Sequence, residues 1–254
     1  MIRRLVPIGL WLAVVLLAPL LTREPPERRL PFAERSASSW LGTDLLGSDV
    51  FHAVLSGGPV LLGIAAVISV LVTGTSAVVG ILAGLYPRLG RLVDSVADAL
   101  ILVPPLIGVL LVVLAWPTGG IPALLAATVL FGVPYCSRVI GSAAAAVTSS
   151  GYVEASRAGG ETTLRLVTHE VLPNMLPTVL TQLGLRFTEA LYVVTAVAFL
   201  SLPGVLDEDN WAVMVRENAP GIMLNPWGVA APSLCLLVTV VLVNAALVGT
   251  KEQQ

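Results

Sequence analysis

Long runs of apolar residues, separated by short polar segments, cover most of the chain. A transmembrane helix needs about 20 mostly apolar residues to cross a hydrocarbon core roughly 30 Å thick. Six runs meet or approach this length: residues 5–21, 59–86, 92–116, 121–146, 176–202 and 228–249. The pattern therefore predicts an all-α integral membrane protein, with six transmembrane helices in one membrane domain over residues 1–254.

The composition agrees with this prediction and excludes several classes of protein. The 254 residues are 56% hydrophobic and 12% charged, with a mean hydropathy of +0.90, which a soluble globular domain does not have. The net charge of −2 provides no basic surface for nucleic acid. Two cysteines and two histidines, far apart in sequence, predict neither a disulfide framework nor a metal site.

The charges that flank the apolar runs indicate the orientation of the chain. Arg3 and Arg4 precede the first run, and no small-residue cleavage pattern follows it, so we interpret it as an uncleaved signal anchor. With the N-terminus in the cytoplasm, eight Lys and Arg residues lie inside and five outside, as the positive-inside rule favours. We therefore expect both termini in the cytoplasm.

Small residues and prolines interrupt the apolar runs. Ser76, Gly80 and Gly84 recur at four-residue spacing, so they share one helix face and permit close contact with a neighbouring helix. Pro104–Pro105 in the third run, and Pro134 in the fourth, remove backbone hydrogen bonds. Two outcomes are open for these helices: kinks that line a cavity, or kinks buried inside the protein.

Three connections are long: the outer loops 22–58 and 203–227 and the inner loop 147–175. In the first, Asp49 can cap a short helix whose apolar residues share one face, which predicts that this helix lies on the membrane surface. The residues of that face are Val50, Phe51, Val54 and Leu55.

The inner loop predicts two short helices separated by Gly159–Gly160. Tyr152, Ala155 and Ser156 share a face of the first helix, and the second has apolar residues at helical spacing, namely Leu164, Val167 and Val171. We expect this pair to have no apolar core of its own. Docking against a soluble partner and lying on the membrane surface are both open alternatives.

Charged residues also occur within the apolar runs. Arg186 lies deep in the fifth run, with Glu189 three residues later on nearly the same face. An Arg at the centre of a membrane helix costs about 2.5–3.5 kcal/mol, so it needs a partner or water. An internal ion pair and a cavity-lining pair that contacts a substrate carboxylate are both open. Asp94 and Asp98 are expected to complement the N-terminus of the third helix.

The inner loop resembles the EAA loop of ABC importer permeases. Glu154-Ala155-Ser156 is followed by Gly160 and, after nine residues, by Glu170-Val171-Leu172-Pro173. Three further segments resemble the oligopeptide, dipeptide and nickel branch of that family. They are Leu41-Gly-Thr-Asp with Gly47 and Asp49-Val50, Phe199-Leu200 with Gly204-Val205, and Trp211 with Met214 and Glu217.

This resemblance implies a permease subunit that forms half of the translocation pathway of an ATP-driven importer in the inner membrane of a bacterial cell. Di- and oligopeptides are the expected cargo, and a nickel complex is the alternative. The implied partners are a homologous second permease, two ATP-binding subunits and an extracytoplasmic substrate-binding protein. No cofactor is expected on this chain, which has no phosphate-binding G-x-x-x-x-G-K-S/T motif; ATP and Mg would bind to the partner subunits.

The resemblance also assigns roles within the loop. Ala155 and Ser156 are small, which lets a helix enter a groove of the partner, and Gly160 permits a change of direction. Leu172-Pro173 is expected to mark the exit into the fifth crossing. The implied coupling residues are Tyr152, Glu154, Ala155, Ser156, Gly160, Leu172 and Pro173.

Two other classes of protein fit the sequence less well. A proton-coupled secondary transporter could use Arg186 and Glu189 as a relay, but it would not need an EAA loop, and no inverted repeat is evident. An intramembrane hydrolase would need a nucleophile and a base at membrane depth, whereas both histidines fall in loops and no G-x-S-x-G motif is present. We therefore expect a transporter subunit without catalytic residues.

Overall fold

The structure is a computed structural model that describes residues 2–21, 28–201, 206 and 210–247, with the backbone alone at residues 2–5, 21, 152, 154 and 157. Every regular element in these residues is helical, apart from two isolated bridges. The α-helices are α1 (Ile2–Leu21), α2 (Val50–Ser56), α3 (Pro59–Leu85), α4 (Pro87–Ile101), α5 (Pro105–Ala115), α6 (Gly120–Thr148), α7 (Gly151–Ala158), α8 (Thr163–Arg165), α9 (Leu172–Phe199), α10 (Trp211–Asn218) and α11 (Trp227–Leu247).

Several of these helices have the length and apolarity of membrane spans. Among the described residues, three stretches meet both requirements: Val50–Leu85, Pro117–Thr148 and Trp227–Leu247. The pair of α4 and α5 makes a fourth if it counts as one bent span, and α1 has a shorter apolar stretch at Val6–Leu20. The all-helical prediction is confirmed, with three or four candidate spans, and the number six stays a prediction.

The third predicted crossing, residues 92–116, is not one continuous helix. Its residues lie in α4 and α5, which are bent by 83° at the break between them. Pro105 begins α5 without a backbone N–H, and a proline disfavours helical geometry in the residue before it, which here is Pro104. By contrast, α6 continues through Pro134.

The chain divides into two compact units. The first consists of Met1–Ala66 with Leu191–Ala246, and the second of Val67–Ala190 with Leu247–Gln254. The first unit contains the outer segment that precedes α2, and the second contains the inner loop and the charged residues of α9.

In the first unit, two asparagines hold the segment that precedes α2. The Asn218 side-chain oxygen accepts a hydrogen bond from the Leu45 backbone N–H at 2.9 Å. The Asn225 side-chain amide donates to the carbonyl oxygens of Leu41 and Thr43, both at 2.9 Å. Because both asparagines are buried, these bonds satisfy polar groups that water does not reach.

The same segment contains two turns that require glycine. Gly42 and Gly47 have φ values of +73° and +78°, a conformation that side chains with a Cβ rarely adopt. Between them, Asp44 Oδ1 accepts hydrogen bonds from the backbone N–H groups of Leu46 and Ser48, at 2.8 and 2.7 Å. The sequence segment 41–50 is therefore a set of turns that leads the chain into α2.

The prediction that Asp49 caps α2 is confirmed, but the predicted apolar face is divided. Asp49 Oδ1 accepts a hydrogen bond from the His52 backbone N–H at 3.0 Å. Val50 and Val54 are buried within the first unit, whereas Phe51 is exposed. The helix therefore packs inward through its valines, instead of presenting one apolar face to a membrane surface.

Trp211 is the largest fully buried side chain of the first unit. Its indole N–H donates to the Val54 carbonyl oxygen at 2.7 Å, and Gly58 leaves space for its ring. Asn210 caps α10 by accepting hydrogen bonds from Ala212 and Val213. The start of α10 is thus fixed by its cap and by a hydrogen bond to α2.

In the second unit, the predicted small-residue face of α3 packs closely against α6. A Cβ atom on Gly80 would lie 2.7 Å from the Ser137 carbonyl oxygen, and one on Gly84 would lie 2.6 Å from the Ala144 Cβ. The Ser76 hydroxyl donates to the Val133 carbonyl oxygen at 3.2 Å. The predicted close contact is confirmed, and the neighbouring helix is α6.

Replacing Gly80 with Ala should destabilise the protein by about 1–3 kcal/mol, because the added methyl group overpacks the contact with α6. Gly74 lies in the same helix, and a Cβ atom there would meet nothing within 4 Å. Gly74→Ala is therefore the matched control, and it should be neutral or slightly stabilising. Thermal unfolding of both variants in detergent tests this, and equal stability would contradict the packing.

Trp211→Phe should lower the stability by about 1–3 kcal/mol, because it leaves the buried Val54 carbonyl without its donor. Trp40 is exposed, and its ring contacts Phe51 with centroids 5.4 Å apart. Trp40→Phe keeps this ring contact, so its effect should stay within about 0.5 kcal/mol. The same unfolding measurement compares the two, and a larger effect at Trp40 would contradict the assignment.

Candidate functional site

The inner loop begins with α7 and a tight turn. The Gly159 backbone N–H donates to the Ala155 carbonyl oxygen at 2.9 Å, and the Glu161 N–H donates to the Ser156 carbonyl oxygen at 3.3 Å. Gly160 follows with a φ of +83°. The predicted helix, the glycine break and the change of direction are thus present in the described backbone.

After the turn, a second helix begins at α8. The Thr162 hydroxyl oxygen accepts a hydrogen bond from the Arg165 backbone N–H at 3.4 Å, and so caps this helix. The Arg165 guanidinium pairs with Glu161 at 3.2 Å. The Tyr86 and Thr163 hydroxyl oxygens are 3.0 Å apart, so one donates to the other and connects the loop to the end of α3.

As expected, Leu172-Pro173 lie where α9 begins, but the proline does not interrupt the preceding helix there. Leu166–Val171 form a π-helical segment that connects α8 directly to α9. The Leu172 backbone N–H donates to the Val167 carbonyl oxygen, five residues earlier. This wider turn comes immediately before Pro173, which has no N–H to donate, and the chain stays helical from Thr163 to Phe199.

The loop contributes buried apolar residues to the second unit. Val153, Leu166, Val171 and Met175 are all buried. The predicted face of the second helix is split, because Val171 points inward while Leu164 is 73% exposed. The loop is therefore anchored in the second unit and presents the large apolar side chain of Leu164 outward.

The remaining predicted loop residues differ in exposure. Ala155 and Pro173 are exposed, and Ser156 and Leu172 are half-buried. The side chains of Tyr152 and Glu154 lie outside the described residues, although α7 includes their backbone. Gly204-Val205 of the resemblance also lie outside the described residues.

Arg186 and Glu189 form an ion pair on α9, through the Arg186 Nη1 and the Glu189 Oε2 atoms. The Arg186 side chain is 12% exposed and that of Glu189 is 35% exposed. The guanidinium carbon lies 5.6 Å from the centroid of the Tyr135 ring, within the range of a cation–π contact. The structure thus brings the two predicted residues together and adds Tyr135, which the sequence did not indicate.

A cavity of about 320 Å³ borders this pair. Its wall includes residues on both sides of the bend between α4 and α5, residues of α6, and the two charged side chains, namely Leu100, Pro105, Phe131, Tyr135, Arg186 and Glu189. In the second unit the two charges thus form an internal pair, and this pair also borders a cavity. Contact with a substrate carboxylate stays a prediction.

A second charged cluster joins α4 and α6. Arg138 Nη1 is 2.5 Å from Asp98 Oδ1, and Arg138 Nε is 3.4 Å from Asp94 Oδ1. The expectation that both acids complement a helix N-terminus is corrected, because α4 begins at Pro87 and places them beyond its first turn. In the sequence, Arg138 stands out as a charge within an apolar run and so indicates that a partner is needed. Its partners are 40 or more residues away, so the sequence pattern did not identify them.

Among the described residues, no group of three or more His, Cys, Asp or Glu could hold a metal ion.

Comparison with known proteins identifies the family. The family model of the binding-protein-dependent transport system inner membrane component matches residues 76–248, which is more than half of the chain. The chain belongs to this family. It is therefore a membrane component of an ABC transport system, and a transporter subunit instead of an enzyme.

Relatives of this permease point to one branch of the family. The dipeptide transport system permease protein DppC of Alkalihalophilus pseudofirmus is 28% identical over 245 residues, which cover 93% of this chain and 79% of the relative. The peptide transport system permease protein SapC of Escherichia coli is 29% identical, with 82% and 70% covered. The di/tripeptide permease DppC of Pseudomonas aeruginosa is 30% identical, with 80% and 67% covered. The resemblance to the oligopeptide and dipeptide branch is confirmed.

Gly160→Ala should open the turn of the inner loop more often, because left-handed geometry costs a residue with a Cβ about 1–2 kcal/mol. Amide hydrogen exchange over residues 151–165 should then accelerate by a factor of roughly 5–30. Gly159→Ala is the matched control, since Gly159 has no left-handed φ and its added Cβ would make only ordinary contacts. Equal exchange in both variants would contradict this role of Gly160.

Proposed function

We propose that this permease is one membrane subunit of an ATP-driven importer of peptides, and that it forms half of the translocation pathway. The relatives described above are named for the transport of peptides, dipeptides or di- and tripeptides. These names favour peptide cargo over a nickel complex. The single observation that carries the proposal is the continuous helix from the exposed inner loop to the Arg186 cavity, in a chain of this family.

The inner loop is the proposed contact with an ATP-binding subunit. Leu164 is exposed beside the Gly160 turn, and Ala155 on α7 is exposed as well. A protruding apolar side chain next to small residues can insert into a groove of a partner subunit. Its burial there is favourable because it removes apolar surface from water. Tyr152 and Glu154 belong to the same proposed contact on the basis of the EAA resemblance.

The helix from Thr163 to Phe199 would carry motion from this contact into the membrane. Arg186 lies 14 residues after Leu172, about 20 Å along the helix axis at 1.5 Å per residue. The buried residues Val153 and Val171 join the loop to the second unit, so displacement of the loop acts on packed side chains and not on a loose connection. In this proposal, ATP binding by the partner moves the loop, and α9 reorients the cavity.

The remaining parts of the proposal concern topology and partners. Six crossings result if α1, α3, the bent pair α4–α5, α6, α9 and α11 each span the inner membrane once, with both termini in the cytoplasm. A homologous second permease would complete the pathway, and an extracytoplasmic substrate-binding protein would deliver the peptide. Two ATP-binding subunits would hold ATP and Mg. A secondary transporter, the weaker alternative, would have no use for the exposed Leu164 contact.

The test is reconstitution of the permease in proteoliposomes with its partner subunits and binding protein, followed by measurement of dipeptide uptake with and without ATP. Leu164→Asp should weaken co-purification of the ATP-binding subunits at least roughly tenfold, because it places a charge in a buried apolar contact. Leu30, which is 78% exposed in the outer segment, provides the control variant Leu30→Asp. ATP-independent uptake, or equal co-purification in the two variants, would contradict the proposal.

A further inference from the structure

The cavity at the α4–α5 bend has the composition of a small-molecule site. Its wall combines the apolar and aromatic side chains of Leu100, Pro105 and Phe131 with the two charges of Arg186 and Glu189. Ligand sites typically pair an apolar lining with a few convergent polar groups that fix orientation. All of these residues belong to the second unit of this permease chain.

The ion pair leaves part of the Arg186 guanidinium without a partner. Nη1 pairs with Glu189, whereas Nε is buried and donates no hydrogen bond in the described structure. A guanidinium has five N–H donors in a planar fork, and a carboxylate can accept two of them side by side. A buried donor without an acceptor is unfavourable, so the site gains free energy when an acceptor arrives.

Glu189 neutralises the Arg186 charge before a peptide binds, and it makes the binding of the peptide reversible. An uncompensated Arg within a membrane-spanning helix is costly, and the adjacent carboxylate neutralises it. At 35% exposure, the Glu189 side chain is less enclosed than Arg186, so it is the member of the pair that can give way. An entering carboxylate would therefore exchange one ion pair for another, which gives a moderate affinity suited to passage.

The size of the cavity limits what can enter it. A volume of about 320 Å³ is at the lower end of the range for ligand pockets, roughly 300–1,000 Å³. It suits one terminal residue of a peptide better than a whole oligopeptide. The Phe131 and Tyr135 rings would then contact the side chain of that residue.

We propose that this cavity is a subsite for the C-terminal residue of the transported peptide, in which Arg186 binds the terminal carboxylate and Glu189 holds the guanidinium when the site is empty. This inference rests on the proposed function, since it takes the cargo to be a peptide. It assigns Arg186 as a specificity-determining residue of the permease itself, in addition to any selection by the binding protein.

The experiment uses the reconstituted transporter and two forms of one dipeptide, with a free or an amidated C-terminus, each supplied with saturating binding protein. The wild-type protein should import the free form about tenfold or more faster, the ratio expected for a charge-assisted hydrogen bond. Arg186→Gln/Glu189→Gln removes both charges together, so neither remains buried alone. In this variant the uptake ratio of the two forms should fall to about one.

Two further variants separate recognition from structure. Arg186→Lys keeps the charge but loses the planar fork, so it should retain only part of the preference for the free carboxylate. Arg138→Gln removes another paired arginine of the same unit that does not line this cavity. It should leave the uptake ratio unchanged, even if total uptake decreases.

Three results would overturn the inference. The first is a wild-type ratio near one, and the second is an unchanged ratio in the double variant, which would place selection in the binding protein. The third is a double variant that loses the preference for a free carboxylate and a preference for a free amino terminus alike, tested with an N-acetylated dipeptide, because the pair would then not act on the carboxylate specifically. Failure of the proposed function would give a result that differs from all three, because neither dipeptide form would enter the wild-type vesicles in an ATP-dependent manner. That result would also overturn the inference.

Discussion

Two missing backbone N–H groups, at Pro104 and Pro105, determine the shape of the second unit. They stop α4 at Ile101 and let α5 begin in a direction that differs by 83°. A straight helix would fill the space on the inside of this bend with its own side chains. The break instead leaves a cavity, and Arg186 and Glu189 of α9 border it. The cavity that this charged pair borders thus lies at a local break in helical hydrogen bonding.

The helices α3 and α6 associate through close packing, without a break in either helix. Apolar helices gain little from burial when their surroundings are equally apolar, so they associate through close packing and hydrogen bonds. Gly80 and Gly84 remove the side chains that would separate the backbones, and the Ser76 hydroxyl adds a hydrogen bond across the contact. The Arg138 cluster connects α6 to α4 by charge. Packing and charge together fix the helices around the bend.

Local features of this permease could be predicted from its sequence, because local chemistry decides them. The Asp49 cap, the Gly160 turn and the glycine face of α3 each depend on residues within a few positions. The Arg138 cluster could not be predicted, since its members meet only through tertiary packing. Nor could the hydrogen bond from Trp211 to the Val54 carbonyl oxygen, which joins residues more than 150 positions apart. The prediction that Pro173 interrupts the preceding helix was wrong for a different reason. The rule that proline ends a helix assumes α-helical spacing, and here a π-helical segment precedes the proline.

That π-helical segment also sets the direction in which α9 faces. A π turn holds one residue more than the α-helical turn it replaces, and each residue of an α-helix advances by about 100° around the axis. The extra residue between Leu166 and Val171 thus acts as an angular offset between the inner loop and everything that follows. Without it, the loop and Arg186 would keep their own local structures, but the guanidinium would face about a quarter of a turn away from the cavity. The alignment between the inner loop and the charged pair therefore depends on one extra residue in the chain.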